Sequence, residues 1–367
     1  MKPRKRLTIV LLFGGRSAEH EVSLDSAAAV YKNINKKKFR VLSLYIDKNG
    51  KWRHVASPLL PPEKLAAGPA CSFLPWVACA PRRAGSAIRW LNPRHRADIY
   101  FPVLHGPYGE DGTIQGVLEM ADVPYVGAGV LASAAGMDKA VTKALFAMNR
   151  LPLVKYATLL DSDWKKHREA VLALIRREFA LPFFVKPANL GSSVGISKVK
   201  ERAGTARALN KAFRYDRKIL VEEGVKGREI ECSVLGNDAP RASLPGEVIP
   251  QRDFYDYRDK YLDGKTQFRI PAELPAATVR EVQRLAVKAY RAVDCAGLAR
   301  IDFFLEDATG KIYLNEINTI PGFTEISMYP KLWGVSGISF GGLVEELIRL
   351  GLERHRRKKR CLERLGR

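Results

Sequence analysis

No apolar run in the 367 residues reaches the roughly 18 to 20 needed to cross a bilayer, so the expectation is a protein with no membrane-spanning segment. Paired cysteines are also lacking. The five present, Cys71, Cys79, Cys232, Cys295 and Cys361, are odd in number and scattered, without a CxxC spacing for zinc or a redox pair. A reducing, cytoplasmic setting fits that usage. Acid is scarce against base, with 39 Asp and Glu facing 61 Lys and Arg for a net charge of +22, which raises the question of nucleic acid as a partner. Lys2, Arg4, Lys5 and Arg6 supply +4, and residues 354–367 a net +7, so the two ends carry half of the excess. A run such as Arg354 to Arg360 reads as a solvated tail, and nucleic acid is not the expected partner. The phosphate-binding pattern GxxxxGK[ST] is absent, which excludes a P-loop enzyme.

What is present is a soluble-protein composition, 46% hydrophobic and 27% charged, on a chain too long for one ordinary core. Residues 7–13 form a continuous apolar run that ends in Gly14-Gly15. The basic residues before it imitate a secretion signal, but the run is short, and it reads as a buried parallel strand feeding a glycine turn and a helix from Ser23. Val41 to Ile46 and Asp98 to Leu104 repeat the strand pattern, and a helix is expected at Gln115 to Met120. Residues 57–96 have little periodicity and read as a surface insertion. A second unit carries a helix after Asp138, another around residues 164–179, and strands at 183–186 and 219–223. A third has strands at 229–235 and 247–249, a long polar loop at 251–268 of the kind that serves as a lid, and a helix at 276–293. A final helix is expected near 343–352.

The strongest local signal is a β-hairpin formed by residues 298–305 (LARIDFFL), a turn at Asp307 to Gly310, and residues 311–318 (KIYLNEIN). Side chains alternate along a strand, so Arg300 and Asp302 share one face while Glu316 and Asn318 share the facing one. Pairing centred on Thr309 sets Asp302 opposite Glu316 and Arg300 opposite Asn318. Two carboxylates, an amide oxygen and a guanidinium on one patch suit a hard divalent cation that bridges a nucleotide's phosphates. A solvated strand face with internal ion pairs is the bland alternative, which four such residues between apolar neighbours disfavour.

The stretch 183–198 (FFVKPANLGSSVGISK) ends a strand at Lys186 and opens a loop with Gly191, Ser192, Ser193 and Gly195. Backbone N–H groups in such a loop can approach phosphate oxygens, with Lys139 and Lys186 supplying charge. In 219–229 (ILVEEGVKGRE) the end of a strand can present backbone to an adenine edge, with a carboxylate further on for a ribose. Either stretch alone is ordinary sequence.

In that order the pieces resemble the ATP-grasp superfamily and, within it, the D-alanine:D-alanine ligase family. The resemblance rests on residues 14–23 (GGRSAEHEVS), 105–112 (HGPYGEDG), the glycine loop, 254–261 (FYDYRDKY), 315–324 (NEINTIPGFT) and 327–330 (SMYP), and covers residues 7–352. It implies an α/β, three-domain ATP-grasp fold. A Rossmann-like parallel-sheet domain would span residues 1–136. Two α+β domains, 137–227 and 228–352, would grip ATP between them, with the lid at 251–268 and a basic tail at 353–367.

Carried over position by position, Glu19 would hold the ammonium of the first D-alanine, with Ser192 and Tyr261 as its hydrogen-bonded partners. Arg300 would bind the first carboxylate and, with the backbone N–H of Gly322, stabilise the later oxyanion; Ser327 and the backbone of Met328 would hold the second D-alanine's carboxylate, and His105 would line the cavity. Lys139, Lys186, Ser193 and Lys260 would meet ATP phosphates, and Glu222, Glu223, Val225 and Glu229 would frame adenosine. Asp302, Glu316 and Asn318 would hold two Mg²⁺ ions, with Mn²⁺ as a substitute. Two molecules of D-alanine and a homodimer are the implied partners, and peptidoglycan precursor synthesis the implied setting. A tyrosine at the Tyr261 position goes with D-alanine in the family and argues against a ligase that takes D-lactate second. A basic nucleic-acid-binding protein on an inactive scaffold is the reading from another class, and the filled catalytic positions speak against it.

Overall fold

The computed structural model describes residues 6–68, 97–249 and 267–364. Tyr261 and Lys260, and all but the end of the expected lid, lie outside the described residues.

Three sheets organise the chain. The first has the order β3-β2-β1-β4, with β1 (Leu7–Gly14) central and parallel to both β2 (Phe39–Ile46) and β4 (Ile99–Val103). The fourth strand, β3 (Trp52–Val55), is antiparallel and was not legible in the sequence. Alternation along β1 divides its apolar run between two cores. Ile9, Leu11 and Phe13 face one core, while Val10 and Leu12 face another beneath α3 (Thr113–Met120). The first core also contains residues from α1 (His20–Asn33) and from the far end of the chain, where α10 (Met328–Val335) supplies Tyr329 and Trp333 and α11 (Phe340–Glu363) supplies Leu343, Val344, Leu347 and Ile348. Residues 62–66 of the expected insertion form α2 (Pro62–Ala66).

Helix α4 (Val130–Met137) leads into α5 (Lys139–Met148), whose N-terminus is capped by the Asp138 carboxylate, which accepts from Ala140 N and Val141 N. The second sheet follows in the order β5-β8-β6-β7. It is made of β5 (Tyr156–Leu160), β6 (Phe183–Pro187), β7 (Ser197–Val199) and β8 (Lys218–Glu223). One face carries Phe183, Val185, Ile219 and Val221 beneath α7 (Arg168–Glu178) and α8 (Thr205–Ala212). The opposite face carries Phe184, Lys186, Leu220 and Glu222, because side chains alternate. The single helix expected around 164–179 is two, α6 (Asp161–Lys166) and α7, separated by His167 in a non-helical conformation.

The third sheet runs β12-β11-β9-β13-β14 with β10 (Arg241–Ala242) on β9. Its strands are β9 (Gly227–Gly236), β11 (Gly246–Ile249), β12 (Gln267–Arg269), β13 (Gly297–Glu306) and β14 (Ile312–Asn318). The last two residues of the expected lid are therefore strand. Helix α9 (Ala276–Ala292) buries Val282, Leu285, Ala286, Ala289 and Tyr290 against this sheet.

The expected solvated tail is corrected: α11 continues to Glu363 instead of ending near Leu352. Residues 353–363 hold no Gly or Pro, and the Arg349–Glu353 and Glu353–Arg357 pairs at i,i+4 support the helix. Part of its basic face is docked. Arg354 lies 4.1 Å over the Tyr125 ring, Lys358 pairs with Glu119, and Arg357 pairs with Asp238. Arg356, Lys359 and Arg360 remain exposed.

Candidate active site

The hairpin β13–β14 has the register that strand alternation predicts: Arg300 faces Asn318 and Asp302 faces Glu316, with a bulge immediately after Asp302. On the other side of β13, Arg300 pairs with Ser233 and Asp302 with Glu231 of β9. One face of three adjacent strands thus carries Glu231, Asp302 and Glu316 in a row. Arg300 donates to both Asp302 oxygens, at 2.7 and 2.6 Å, and its Nε is 3.0 Å from Glu231. Burial opposes the guanidinium's charge, but Asp302 and Glu231 outweigh it and hold the Arg300 pKa well above its ordinary value. Asn318 Nδ2 donates to Asp302 at 3.0 Å.

A cavity of about 320 Å³ opens over this face. Glu19, His105, Glu110, Ser192, Glu231, Arg300, Glu316, Asn318, Gly322, Ser327 and Met328 all line it, so residues up to 309 positions apart in sequence converge. Glu19 sits at the N-terminus of α1 and accepts a hydrogen bond from the Ser192 hydroxyl. Ser192 and Ser193 both have positive φ, 49° and 58°, which curls the glycine loop toward Glu19. Gly106 is required where it stands: at φ 74° a Cβ would come 3.0 Å from Glu19 Oε2.

His105 has no polar atom left for a substrate. Its Nδ1 lies 3.0 Å from the Ile320 carbonyl and must donate, so Nε2 accepts from the Ser26 hydroxyl at 3.0 Å. Burial lowers its pKa, in keeping with that neutral ring. The ring ties α1 to the turn at 320–323, where Ser26 also accepts from Phe323 N. In that turn Gly322 admits the Ser327 hydroxyl, which a Cβ would meet at 2.9 Å. Ser327 precedes the first turn of α10, whose free N–H groups favour an anion such as a carboxylate.

Behind the cavity lie the lysines. Lys139 Nζ donates to Leu190 O at 2.7 Å and stands 3.5 Å from Glu316. Lys186 Nζ is 2.6 Å from Glu222 and 3.5 Å from Asn315 Oδ1. Burial pushes the Glu222 carboxyl up, but Lys143 and Lys186 outweigh it and hold the group below the usual carboxylate range. Of the other residues expected at the nucleotide, Glu223 is exposed at the end of β8, Val225 lies in the turn before β9, and Glu229 is on β9.

Three cavity or cleft residues were missed by sequence reasoning. Glu231 orients Arg300, and Lys143 pairs with Glu222. Glu110 accepts from Gly106 N at 3.0 Å; burial, then the nearby Glu19 charge, raises its pKa well above the ordinary value. The signal for Glu231 was its place two residues from Glu229 on a strand, and for Lys143 its place one helical turn after Lys139.

Among the described residues no three His, Cys, Asp or Glu side chains converge as metal ligands. The donor set on β13–β14 is two carboxylates and an amide on one face. It fits a hard cation whose remaining ligands come from phosphate oxygens, and it is not a closed protein cage.

Three sheets around a cavity that carries Glu19, Arg300 and Glu316, with Lys139 and Lys186 behind it, are the arrangement of a ligase of the ATP-grasp class. Two family models match, one described as the N-terminus of D-ala D-ala ligase over residues 8–128 and the other as its C-terminus over residues 145–349. The chain is 48% identical to the D-alanine–D-alanine ligase of Heliobacterium modesticaldum, over 98% of this chain and 99% of that one. It is 47% identical to that of Solibacter usitatus, over 96% and 98%. Among solved structures, the D-alanine-D-alanine ligase from Coxiella burnetii is similar with a TM-score of 0.84 at 37% identity, over 98% of both chains. The VanG D-Ala:D-Ser ligase from Enterococcus faecalis gives 0.79 at 34%, over 95% of this chain and 100% of that one. The chain belongs to the D-alanine–D-alanine ligase family.

Proposed function

We propose that this cleft joins two molecules of D-alanine to D-alanyl-D-alanine at the expense of ATP, through an acyl phosphate. The observation that carries the reading is the single cavity in which Glu19 with Ser192, Arg300 with Glu231, and Ser327 at a helix N-terminus meet Glu316 and Asn318 of β14. Glu19 takes the ammonium of the first D-alanine, and Arg300 takes its carboxylate. One oxygen of that carboxylate attacks the γ-phosphorus of ATP, ADP leaves, and D-alanyl phosphate remains. The amine of the second D-alanine, whose own carboxylate sits at Ser327 and Met328 N, attacks the acyl carbon. Arg300 and the N–H of Gly322 stabilise the oxyanion until phosphate departs.

Asp302, Glu316 and Asn318 are the residues that would hold Mg²⁺, or Mn²⁺ in its place, and the ions would neutralise charge on the transferring phosphoryl group. Lys139, Lys186, Ser193 and, from the lid, Lys260 serve the phosphates. Glu222 gives its side chain to two lysines, which leaves its backbone, with Glu223, Val225 and Glu229, to frame adenosine. Tyr261, outside the described residues, would by the family resemblance be the second hydrogen-bonded partner of Glu19. The domain boundaries 136, 227 and 352, the homodimer, the cytoplasmic setting and the place in peptidoglycan precursor synthesis belong to the same reading.

The test is phosphate release from Mg²⁺-ATP with D-alanine, L-alanine, or D-alanine together with D-lactate or D-serine, products being identified by mass. D-Alanyl-D-alanine from D-alanine alone is the expected outcome. A mixed product in preference to the dipeptide would reassign the second site, and no turnover with any of them would overturn the reading.

A further inference from the structure

We propose that Lys143 is a positioning residue for the nucleotide: it is the fixed counter-ion that keeps Glu222 neutralised when Lys186 leaves that carboxylate for a phosphate. The inference rests on the assignment of Lys186 to phosphate made above.

Lys143 projects from α5 one turn after Lys139, and its side chain is 1% exposed. Its Nζ lies 3.3 Å from one oxygen of Glu222, while Lys186 lies 2.6 Å from the other. The side chain of Lys186 is 10% exposed against 1% for Lys143, so Lys186 is the more accessible of the two. Both lysines also reach Asn315, Lys143 its backbone carbonyl and Lys186 its side-chain oxygen, each at 3.5 Å. The cluster therefore ties α5, β6, β8 and β14 around one anion.

Two buried ammonium groups share one carboxylate, with Glu316 acting on Lys143 as a more distant second anion, so the cluster favours a further anion close to Lys186. A nucleotide phosphate is that anion. Burial draws the pKa of Lys143 down, and Glu222 opposes that shift. When Lys186 turns to a phosphate, Glu222 keeps Lys143 and stays paired. Without Lys143, the nucleotide must either strip a buried carboxylate of its last cation or bind without Lys186.

Calorimetric titration of the full chain with ADP and Mg²⁺ tests this. Lys143→Met should weaken ADP by about tenfold or more, the size expected when a buried charge loses its partner, and leave KM for D-alanine unchanged. Lys143→Met combined with Glu222→Gln, which removes both charges, should recover most of the affinity. Wild-type affinity in folded Lys143→Met would overturn the proposal. So would weak binding that the double variant does not repair, since Lys143 would then touch the nucleotide itself. Where the single variant fails to fold, the double variant decides alone by the same criterion. Lys186→Met separates the two layers: undiminished ADP affinity there would remove the phosphate assignment, whereas a loss there with none in Lys143→Met would remove only the present inference.

Discussion

Arg300 meets Asp302 at 2.6 Å, and Arg357 meets Glu353 at the same 2.6 Å. The first pair is 16% and 13% exposed, and the second 44% and 24%. Distance alone would rank them equal. In the cleft, charges are desolvated, so each must be answered by another charge or by a ligand, and removing one leaves its partner buried and unpaired. On α11, water and salt answer for either partner, and the pair is worth little. Ion pairs identify a site only when burial makes them obligatory.

Substitutions sharpen that contrast. Arg300→Met should do most damage. It strips Glu231 and Asp302 of their shared cation, for a stability loss of about 3–5 kcal/mol, and removes an oxyanion ligand, for a fall in kcat of about 10²- to 10³-fold; thermal melts and phosphate release measure the two. Glu316→Gln should lower turnover by about 10²-fold or more with a melting temperature close to that of wild type, because it removes metal-directed charge and keeps shape. Normal turnover in the folded variant would place the metal elsewhere. Ser192→Ala takes one hydrogen bond from the Glu19 carboxylate and should raise KM for the first D-alanine about tenfold or more, with the KM for ATP little changed. Glu353→Gln on α11 should shift stability by less than about 1 kcal/mol, and the shift should shrink in high salt. A large, salt-resistant loss there would break the comparison.

The hairpin register was legible because a period of two is a local property and a turn fixes pairing across it. Glu231 was not, since its role depends on which strand β13 chooses for its second neighbour, and that neighbour lies 71 residues back along the chain, from Asp302 to Glu231. Lys143 was hidden for a similar reason: a lysine on a helix reads as a solvated residue until a sheet closes over it. The length of α11 was misread because a basic run suggests a tail, whereas partners on α3 and at Asp238 hold it as helix. Chemistry that lies along one strand can be read from order alone. Chemistry that lies across strands far apart in the chain waits for the fold.

The first sheet hides one of its faces under α10 and α11, and those helices are translated more than two hundred residues after β4. During synthesis, Ile9, Leu11, Phe13, Phe101 and Val103 therefore lack part of their cover until those helices are made. The core under the first sheet is closed only when α10 and α11 arrive.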